Sequence, residues 1–348
     1  MFSFGVRRLA VRCRVKLMNS NSQPDTSSRA LPLPELLRQA ELSMAAAGVA
    51  RPVAEAQLLW GHVLGLSRGE VQAAAVLQRT ITPEQQAAFA PLLHRRLKRE
   101  PLQHILGYAY FYGLPLAVGP GVFVPRPETE LLAELALNHL NRYCGAGAPK
   151  IADFCAGSGA LAFALQRHAP GSTVTALEKS PAAFSWLQRN KQELKLETTL
   201  LQVDLAAAAH QLGLRPLAGS TLTNLPPVSD TTMQWFKTHA GSLDVLVSNP
   251  PYVPRSAVPE TPEVRDYDPE LALYSGADGL ELLRWLVPLF GYLAAPGAFC
   301  GIEHTEVQGS EIAAMLQRVG FTAVETVPDL TSRPRFTVGV YQQRSLPG

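Results

Sequence analysis

Cysteine is scarce in this chain. Its 348 residues include four, Cys13, Cys144, Cys155 and Cys300, with no C-x-x-C pair and no histidine at ligand spacing. Neither a disulfide framework nor a zinc site is suggested, and a reducing compartment fits best. Excess charge of either sign is also missing. Lys and Arg total 31 against 29 Asp and Glu, a formal +2, so there is no broad positive field for a nucleic-acid backbone. No long apolar run is unbroken: an uncharged one of membrane length, Trp285 to Ile302, carries Pro288, Pro296 and Gly297. It reads as a buried helix, a turn and a strand, not a membrane span. Acidic residues are absent from residues 1–24, which hold Arg7, Arg8, Arg12, Arg14 and Lys16 but lack the apolar core of a secretory signal. This predicts a mitochondrial transit peptide over residues 1–28 and a matrix location, with an unstructured basic tail as the alternative.

What is present is enough for a core: 47% of residues are apolar and 17% charged, so the chain is globular. Its length favours a main domain plus a smaller one. Residues 29–107 are rich in Ala, Leu and Gln with apolar positions at helical spacing, and Gly48, Pro52, Ser67 and Thr82 with Pro83 serve as stops and starts. Four or five helices are expected. Aromatic and β-branched residues alternate over 108–125 between Gly113, Gly119 and Gly121, which predicts a hairpin linker. From 126 to 348 strands and helices alternate, beginning with the strand KIADF and the helix GALAFALQRHA. The expected fold class is therefore α/β, a mostly parallel sheet with helices on both faces and a small helical domain ahead of it. Residues 205–242 lack strong periodicity and read as a loop-like insertion.

Chemistry concentrates at strand ends. ADFCAGSGA places Asp153, Gly157 and Gly159 after the first strand and before a helix, where a ligand can approach bare backbone and free N–H groups. Glu178 ends the second strand, where a carboxylate can accept from both hydroxyls of a ribose; Asp204 ends the third, within reach of an adenine edge. Either acid could instead only solvate a strand end. The fourth strand stops at Asn249-Pro250-Pro251-Tyr252. A planar nitrogen conjugated to a carbonyl or an aromatic ring is a poor nucleophile. Two acceptors, the Asn249 side-chain oxygen and the Pro250 carbonyl, would orient it and return electron density to it. Pro251 restricts Pro250 to extended geometry, and Tyr252 offers a ring face for stacking. The combination points to S-adenosylmethionine.

Over residues 31–348 the chain resembles the peptide chain release factor glutamine methyltransferases, often called the HemK family. The matching stretches are PLQHILGYAYFYGLPLAVGPGVFVPRPETELL, ADFCAGSGALAFAL, SNPPYVP, YDPELALYSGADGLELLR and DLTSRPRF. The resemblance implies a class I S-adenosylmethionine-dependent methyltransferase domain, Rossmann-like, and an N-terminal domain that recognises substrate. The implied reaction is N5-methylation of the glutamine in the Gly-Gly-Gln motif of release factors; taken with the basic leader, a mitochondrial member is expected. It further implies a cofactor loop over Cys155, Ala156, Gly157, Ser158 and Gly159, a ribose contact at Glu178 and an adenine-side contact at Asp204 or Leu205. The implied substrate clamp runs from Asn249 to Tyr252, with Asn249 also bordering the cofactor.

Four positions depart from the family pattern: Cys155 and Ala156 replace a common Gly-Thr, Glu178 replaces a usual Asp, and Ser332 stands where Gly commonly precedes Arg333. Arg126 to Glu130 is open between two readings, a helix start favoured by Pro127 and its acids, or a border of the substrate pocket at Arg126 and Thr129. A nucleic-acid amino methyltransferase (adenine-N6 or guanine-N2) is the rival enzyme, disfavoured by the mixed charge of residues 31–100. A cofactor-binding assembly protein without turnover is the non-catalytic rival. A monomer, without stable nucleic-acid or membrane partners, is expected.

Overall fold

The computed structural model describes residues 29–143 and 147–342. The expected leader, residues 1–28, lies outside them. The first unit runs β1 (Leu31–Pro32), α1 (Leu33–Ala46), α2 (Pro52–Leu64), α3 (Arg68–Val76), β2 (Thr80–Ile81), α4 (Pro83–Leu97) and α5 (Leu102–Leu106). Its helices begin where the capping chemistry dictates. Ser67 accepts from the Glu70 N–H at 3.3 Å while the Glu70 carboxylate takes the Ser67 N–H at 2.7 Å, and Thr82 with Gln85 repeats the arrangement. Pro83 occupies the first helical position, where its missing N–H would have had no partner. The core closes on Leu33, Met44, Leu59, Ile81 and Trp60, whose ring stacks on Phe89 with centroids 4.0 Å apart. Each such side chain contributes about 1.5–3 kcal/mol by leaving water.

A hairpin follows: β3 (Tyr108–Phe111) and β4 (Leu114–Ala117) pair antiparallel through Tyr112-Gly113, both left-handed at φ 49° and 78°. A short 3-10 turn over Pro127–Thr129 leads into α6 (Glu130–Tyr143), and Glu130 ties that helix back to the hairpin by accepting from the Tyr112 N–H at 2.7 Å. The main unit continues with β5 (Lys150–Phe154), α7 (Ala160–His168), β6 (Thr173–Glu178), α8 (Pro181–Leu194), β7 (Thr199–Gln202), α9 (Leu205–Gln211), α10 (Asp230–Thr238), β8 (Leu243–Ser248), α11 (Pro262–Tyr267), α12 (Glu270–Leu273), α13 (Leu283–Leu293), β9 (Ala294–Glu303), α14 (Gly309–Arg318), β10 (Phe321–Pro328) and β11 (Pro334–Tyr341). The sheet order is β10-β11-β9-β8-β5-β6-β7, parallel from β9 through β7, with β11 antiparallel to both of its neighbours. One face carries α9, α10, α13 and α14, the other α6, α7 and α8, each over a continuous apolar core. This is the α/β architecture expected from the alternation of strands and helices.

Two segments differ from expectation. Residues 205–242 are irregular only in their middle: α9 buries Leu205 and Ala206 to Ala209, and α10 buries Met233 and Phe236 on the same face of the sheet. The alanine run hides its period because every side chain in it is small and none is polar. The apolar run at 285–302 forms helix and strand, but α13 passes through Pro288 and β9 begins at Ala294, so Pro296 and Gly297 sit inside the strand. Pro288 lacks the N–H that would bond to the Arg284 carbonyl four residues back, and the Leu217 N–H takes that carbonyl at 2.9 Å. The helix defect thus becomes an anchor for the irregular strap between α9 and α10.

One carboxylate links the helical unit to the main one by three hydrogen bonds. Glu263, on α11, accepts from Arg96 at 2.7 Å and from both Nε and Nη2 of Arg99, at 2.8 and 2.7 Å. Tyr267 adds a bond from its hydroxyl to the Lys98 carbonyl at 2.9 Å. Burial alone would raise the Glu263 carboxyl, but hydrogen bonds from Arg99 and Arg96 outweigh it and hold it down to about 2. Because the folded value is depressed, this stabilisation is complete above the ordinary value of 4.5 and is lost as pH falls through about 2. Glu263→Ala leaves Arg96 buried with one partner fewer, and urea unfolding is expected to register a loss of about 1.5–3 kcal/mol. That deficit should shrink as the acid window is entered. A deficit unchanged through that window would show that the carboxylate charge is not what holds the units together.

Candidate active site

β5 and β8 are adjacent, with Phe154 paired to Ser248, although two strand-helix units separate them in the chain. The strand order reverses at this pair, and side chains leaving both carboxyl ends enter one crevice. It is a cavity of about 630 Å³ whose wall includes Asp153, Gly157, Glu178 and Asn249. A volume of that size suits a nucleoside-sized ligand together with a side chain.

On one side, the segment Cys155–Gly159 turns tightly from β5 into α7. Cys155, Gly157 and Gly159 all have left-handed φ, at 67°, 56° and 90°. A Cβ on Gly159 would lie 2.2 Å from the Phe163 ring, whereas one on Gly157 would meet nothing within 4 Å. Gly159 is thus required by packing, and Gly157 leaves its backbone open to the cavity. Cys155 adopts a conformation that costs a non-glycine residue about 1–2 kcal/mol. Ser332, the other replacement of a glycine, is likewise left-handed at φ 65°. Burial pushes the Cys155 thiol up, and the charge of Glu178 adds to this, so it is no nucleophile. Ala156 is buried and donates to the Leu177 carbonyl at 2.9 Å. The Ser158 carbonyl accepts from Asn190, whose side chain also pairs with both backbone groups of Ala117, tying the hairpin to the loop.

Three acids were expected here, and they behave differently. Glu178 accepts from the Gly157 N–H at 2.8 Å and the Ser180 N–H at 2.7 Å, which aims the carboxylate while leaving further lone pairs for a diol. Asp153 accepts from the Ala162 N–H at 3.0 Å through one oxygen; the other is buried without a partner. Such an orphan signals a missing ligand. Burial, with the charge of Glu178 adding to it and the Ala162 bond opposing, raises Asp153 to about 8. Asp204 reaches the cavity wall as expected, but both its oxygens already have partners. One oxygen caps α9 at the Ala206 and Ala207 N–H groups, 3.0 and 3.1 Å away, and the other pairs with Lys179 at 2.8 Å. Leu205 beside it belongs to the core and reaches the cavity wall. These residues fit the expected cofactor: bare backbone at a helix start, an aimed carboxylate for the ribose and an orphan carboxyl toward a cation.

On the other side, Asn249, Pro251 and Tyr252 line the cavity, while Pro250 is buried and can offer only its carbonyl. Gly279 supports this turn from beneath; a Cβ there would sit 2.0 Å from the Tyr252 carbonyl, which also accepts from Gln308 at 3.0 Å. Burial holds the Tyr252 phenol well above its ordinary value, with the charge of Glu303 adding to it, so it stays neutral. Arg126 and Thr129 reach the wall, so the two readings of that segment coexist: Pro127 opens the turn into α6, and its flanking residues border the cavity. Arg126 is not free. It lies over the Phe123 ring at 4.8 Å and donates to Asp268 at 2.9 Å.

Sequence reasoning missed the strap. Thr221, Leu222, Asn224, Leu225 and Pro226 line the cavity beside Asp204 and Leu205. Glu281 pins them, accepting from the Ser220 hydroxyl at 2.5 Å and from the Thr221 N–H and hydroxyl, each at 3.0 Å. Arg284 holds the Ala218 carbonyl at 3.0 Å. No local pattern marks these residues, because their partners lie about 60 positions away. Among the described residues no cluster of His, Cys, Asp and Glu could hold a metal, and no helix is long and apolar enough to cross a membrane.

Because Asp153 is raised to about 8, it is largely protonated near neutral pH. A cation beside it lowers that value, so binding of S-adenosylmethionine is expected to release protons, up to one per site. Calorimetry in buffers of different ionisation enthalpy measures this. Binding with no proton release, or with release unchanged in Asp153→Asn, would place the cation elsewhere.

A family model described as the PrmC N-terminal domain matches residues 35–107, and one described as conserved hypothetical protein 95 matches residues 111–218. The chain is 37% identical to the release factor glutamine methyltransferase of Bifidobacterium longum over 88% of its own length and 98% of that protein's. It is 38% identical to the enzyme of the same name from Mycolicibacterium smegmatis, over 89% and 98%. A relative from Streptomyces pristinaespiralis, a 4-amino-L-phenylalanine/4-methylamino-L-phenylalanine methyltransferase, is 32% identical over 83% of this chain and 88% of that one. With a cofactor crevice and an Asn-Pro-Pro-Tyr turn facing one cavity, and with relatives matched over nearly their whole length, the chain belongs to the release factor glutamine methyltransferase family.

Proposed function

We propose that this enzyme transfers a methyl group from S-adenosylmethionine to the side-chain nitrogen of the glutamine in the Gly-Gly-Gln motif of peptide chain release factors. The observation that carries the reading is the shared cavity: Asn249 at the end of β8 faces the same space as Gly157, Asp153 and Glu178. Bound S-adenosylmethionine supplies a methyl group on a cationic sulfur, whose departure leaves a neutral thioether. Asp153 and the backbone from Cys155 to Gly159 would hold the cofactor's cationic end, and Glu178 would take its ribose. The Asn249 oxygen and the Pro250 carbonyl accept the two amide N–H bonds of the glutamine, and Tyr252 stacks on the amide plane. Held this way, the nitrogen points its electron density at the methyl carbon, and one of its protons leaves to water after transfer. Glu263, which links the helical unit to the segment following the clamp, supports assigning that unit to recognition of the protein around the glutamine.

The relative named for 4-amino-L-phenylalanine carries a substrate nitrogen conjugated to a ring, the same electronic problem as an amide. A direct test therefore uses a protein substrate. Residues 29–348 are incubated with S-adenosylmethionine and a mitochondrial release factor, and methylation is mapped by peptide mass spectrometry. One added methyl on the Gly-Gly-Gln glutamine is expected, with Asn249→Ala lowering turnover about 100- to 1,000-fold while cofactor affinity is retained. Cofactor binding without methylation of that glutamine would refute the assignment.

The proposed site of action is the mitochondrial matrix. The reading rests on residues 1–28, five of whose side chains up to position 16 are basic and which contain one acid, Asp25. Removing residues 1–28 from a tagged chain is expected to abolish import, as seen by imaging and by protease protection in isolated organelles. Unchanged localisation would sink the leader.

A further inference from the structure

Glu303 ends β9, the strand beside β8, and is only 1% exposed. A carboxyl placed there needs a partner. The two cations that act on it are engaged elsewhere: Arg126 with Asp268 at 2.9 Å, and Arg335 near Asp329 at 3.7 Å. What Glu303 does have is the Thr129 hydroxyl, which donates to its Oε2 at 2.6 Å. Thr129 is itself 4% exposed, at the end of the turn that opens α6. Its oxygen receives the Asn249 Nδ2 at 3.4 Å.

A hydroxyl has one proton and two lone pairs. With the Thr129 proton committed to Glu303, only lone pairs are left to face Asn249. The amide can then turn only its NH2 end toward Thr129. Its oxygen is left on the opposite side of the amide, available to the cavity that Asn249 lines. We infer that Thr129 and Glu303 are positioning residues that set the orientation of the Asn249 amide, so that it presents an acceptor to the substrate nitrogen. The inference rests on the role proposed for Asn249. Without the pair, a primary amide is nearly symmetric in shape and could settle with either end toward the cavity, and an NH2 group facing the glutamine would repel the hydrogens it should receive.

Thr129→Val keeps the shape and removes the hydroxyl, Thr129→Ser restores it, and Glu303→Gln offers Thr129 a donor as readily as an acceptor. Thr129→Val is expected to lower kcat 10- to 100-fold with the affinity for S-adenosylhomocysteine unchanged within twofold. Thr129→Ser should return kcat to within a few-fold of the parent, and Glu303→Gln should lose several-fold. The decisive comparison uses single-turnover rates in the Asn249→Ala background, where Thr129→Val is expected to have no further effect. A further loss there would mean Thr129 acts on the fold and not through Asn249. Near-normal kcat in Thr129→Val, with Asn249→Ala inactive, overturns the inference and leaves the clamp intact, and normal kcat in Glu303→Gln removes Glu303 from it. Near-normal turnover in Asn249→Ala sinks the clamp itself, and this inference with it.

Discussion

Phe154 and Ser248 face each other across β5 and β8, and the Ser248 hydroxyl donates to the Phe154 carbonyl at 2.6 Å. The rest of the site depends on that register. The residues that follow, Cys155 on one strand and Asn249 on the other, leave the sheet side by side into the crevice where the strand order reverses. A slip of one residue would turn Asp153 and Ser248 to the opposite face and separate the glycine turn from the Asn-Pro-Pro-Tyr turn. Continuous apolar strands such as VLVS, with helices packed on both faces, leave the sheet no alternative pairing that buries as much.

Around this register the chain stiffens the clamp from several directions. Gly279 and Gln308 brace the backbone at Tyr252, Thr129 meets Asn249 from the start of α6, and Arg126 with Asp268 joins the hairpin end to the segment behind the clamp. Proline serves twice for different reasons. Pro250 and Pro251 limit backbone freedom at the site, whereas Pro288 releases a carbonyl that fixes the strap over the cavity. Alignment of three reacting atoms tolerates little motion, and these contacts are where that rigidity originates.

The electrostatics point the same way. Burial raises Asp153, which lines the cavity, to about 8, and Glu303 and Asp268, which lie outside its wall, to about 7 and about 6. The wall also carries three cations: Arg126 is paired with Asp268 and Lys179 with Asp204, and Arg255 is the third. A cation bound beside Asp153 would lower the carboxyl value that burial has raised.

Much of this was legible in the sequence, where a function imposes a local rule. Gly157 and Gly159, Glu178 at a strand end and the Asn-Pro-Pro-Tyr turn are each short patterns whose backbone demands can be read residue by residue. The alternation of strand and helix sets the fold class in the same way. Two glycine substitutions, Cys155 and Ser332, are visible as departures, yet only the folded backbone reveals that both are left-handed. Tertiary structure alone decided what depends on distant partners. It made Asp204 a helix cap as well as part of the cavity wall, and packed the alanine run of α9 into the core. It pinned the strap with Glu281 and brought Thr129 and Glu303, 174 positions apart, to within 2.6 Å. The physical reason is that a polar side chain carries its donors and acceptors in the sequence, but burial determines which partners it must use.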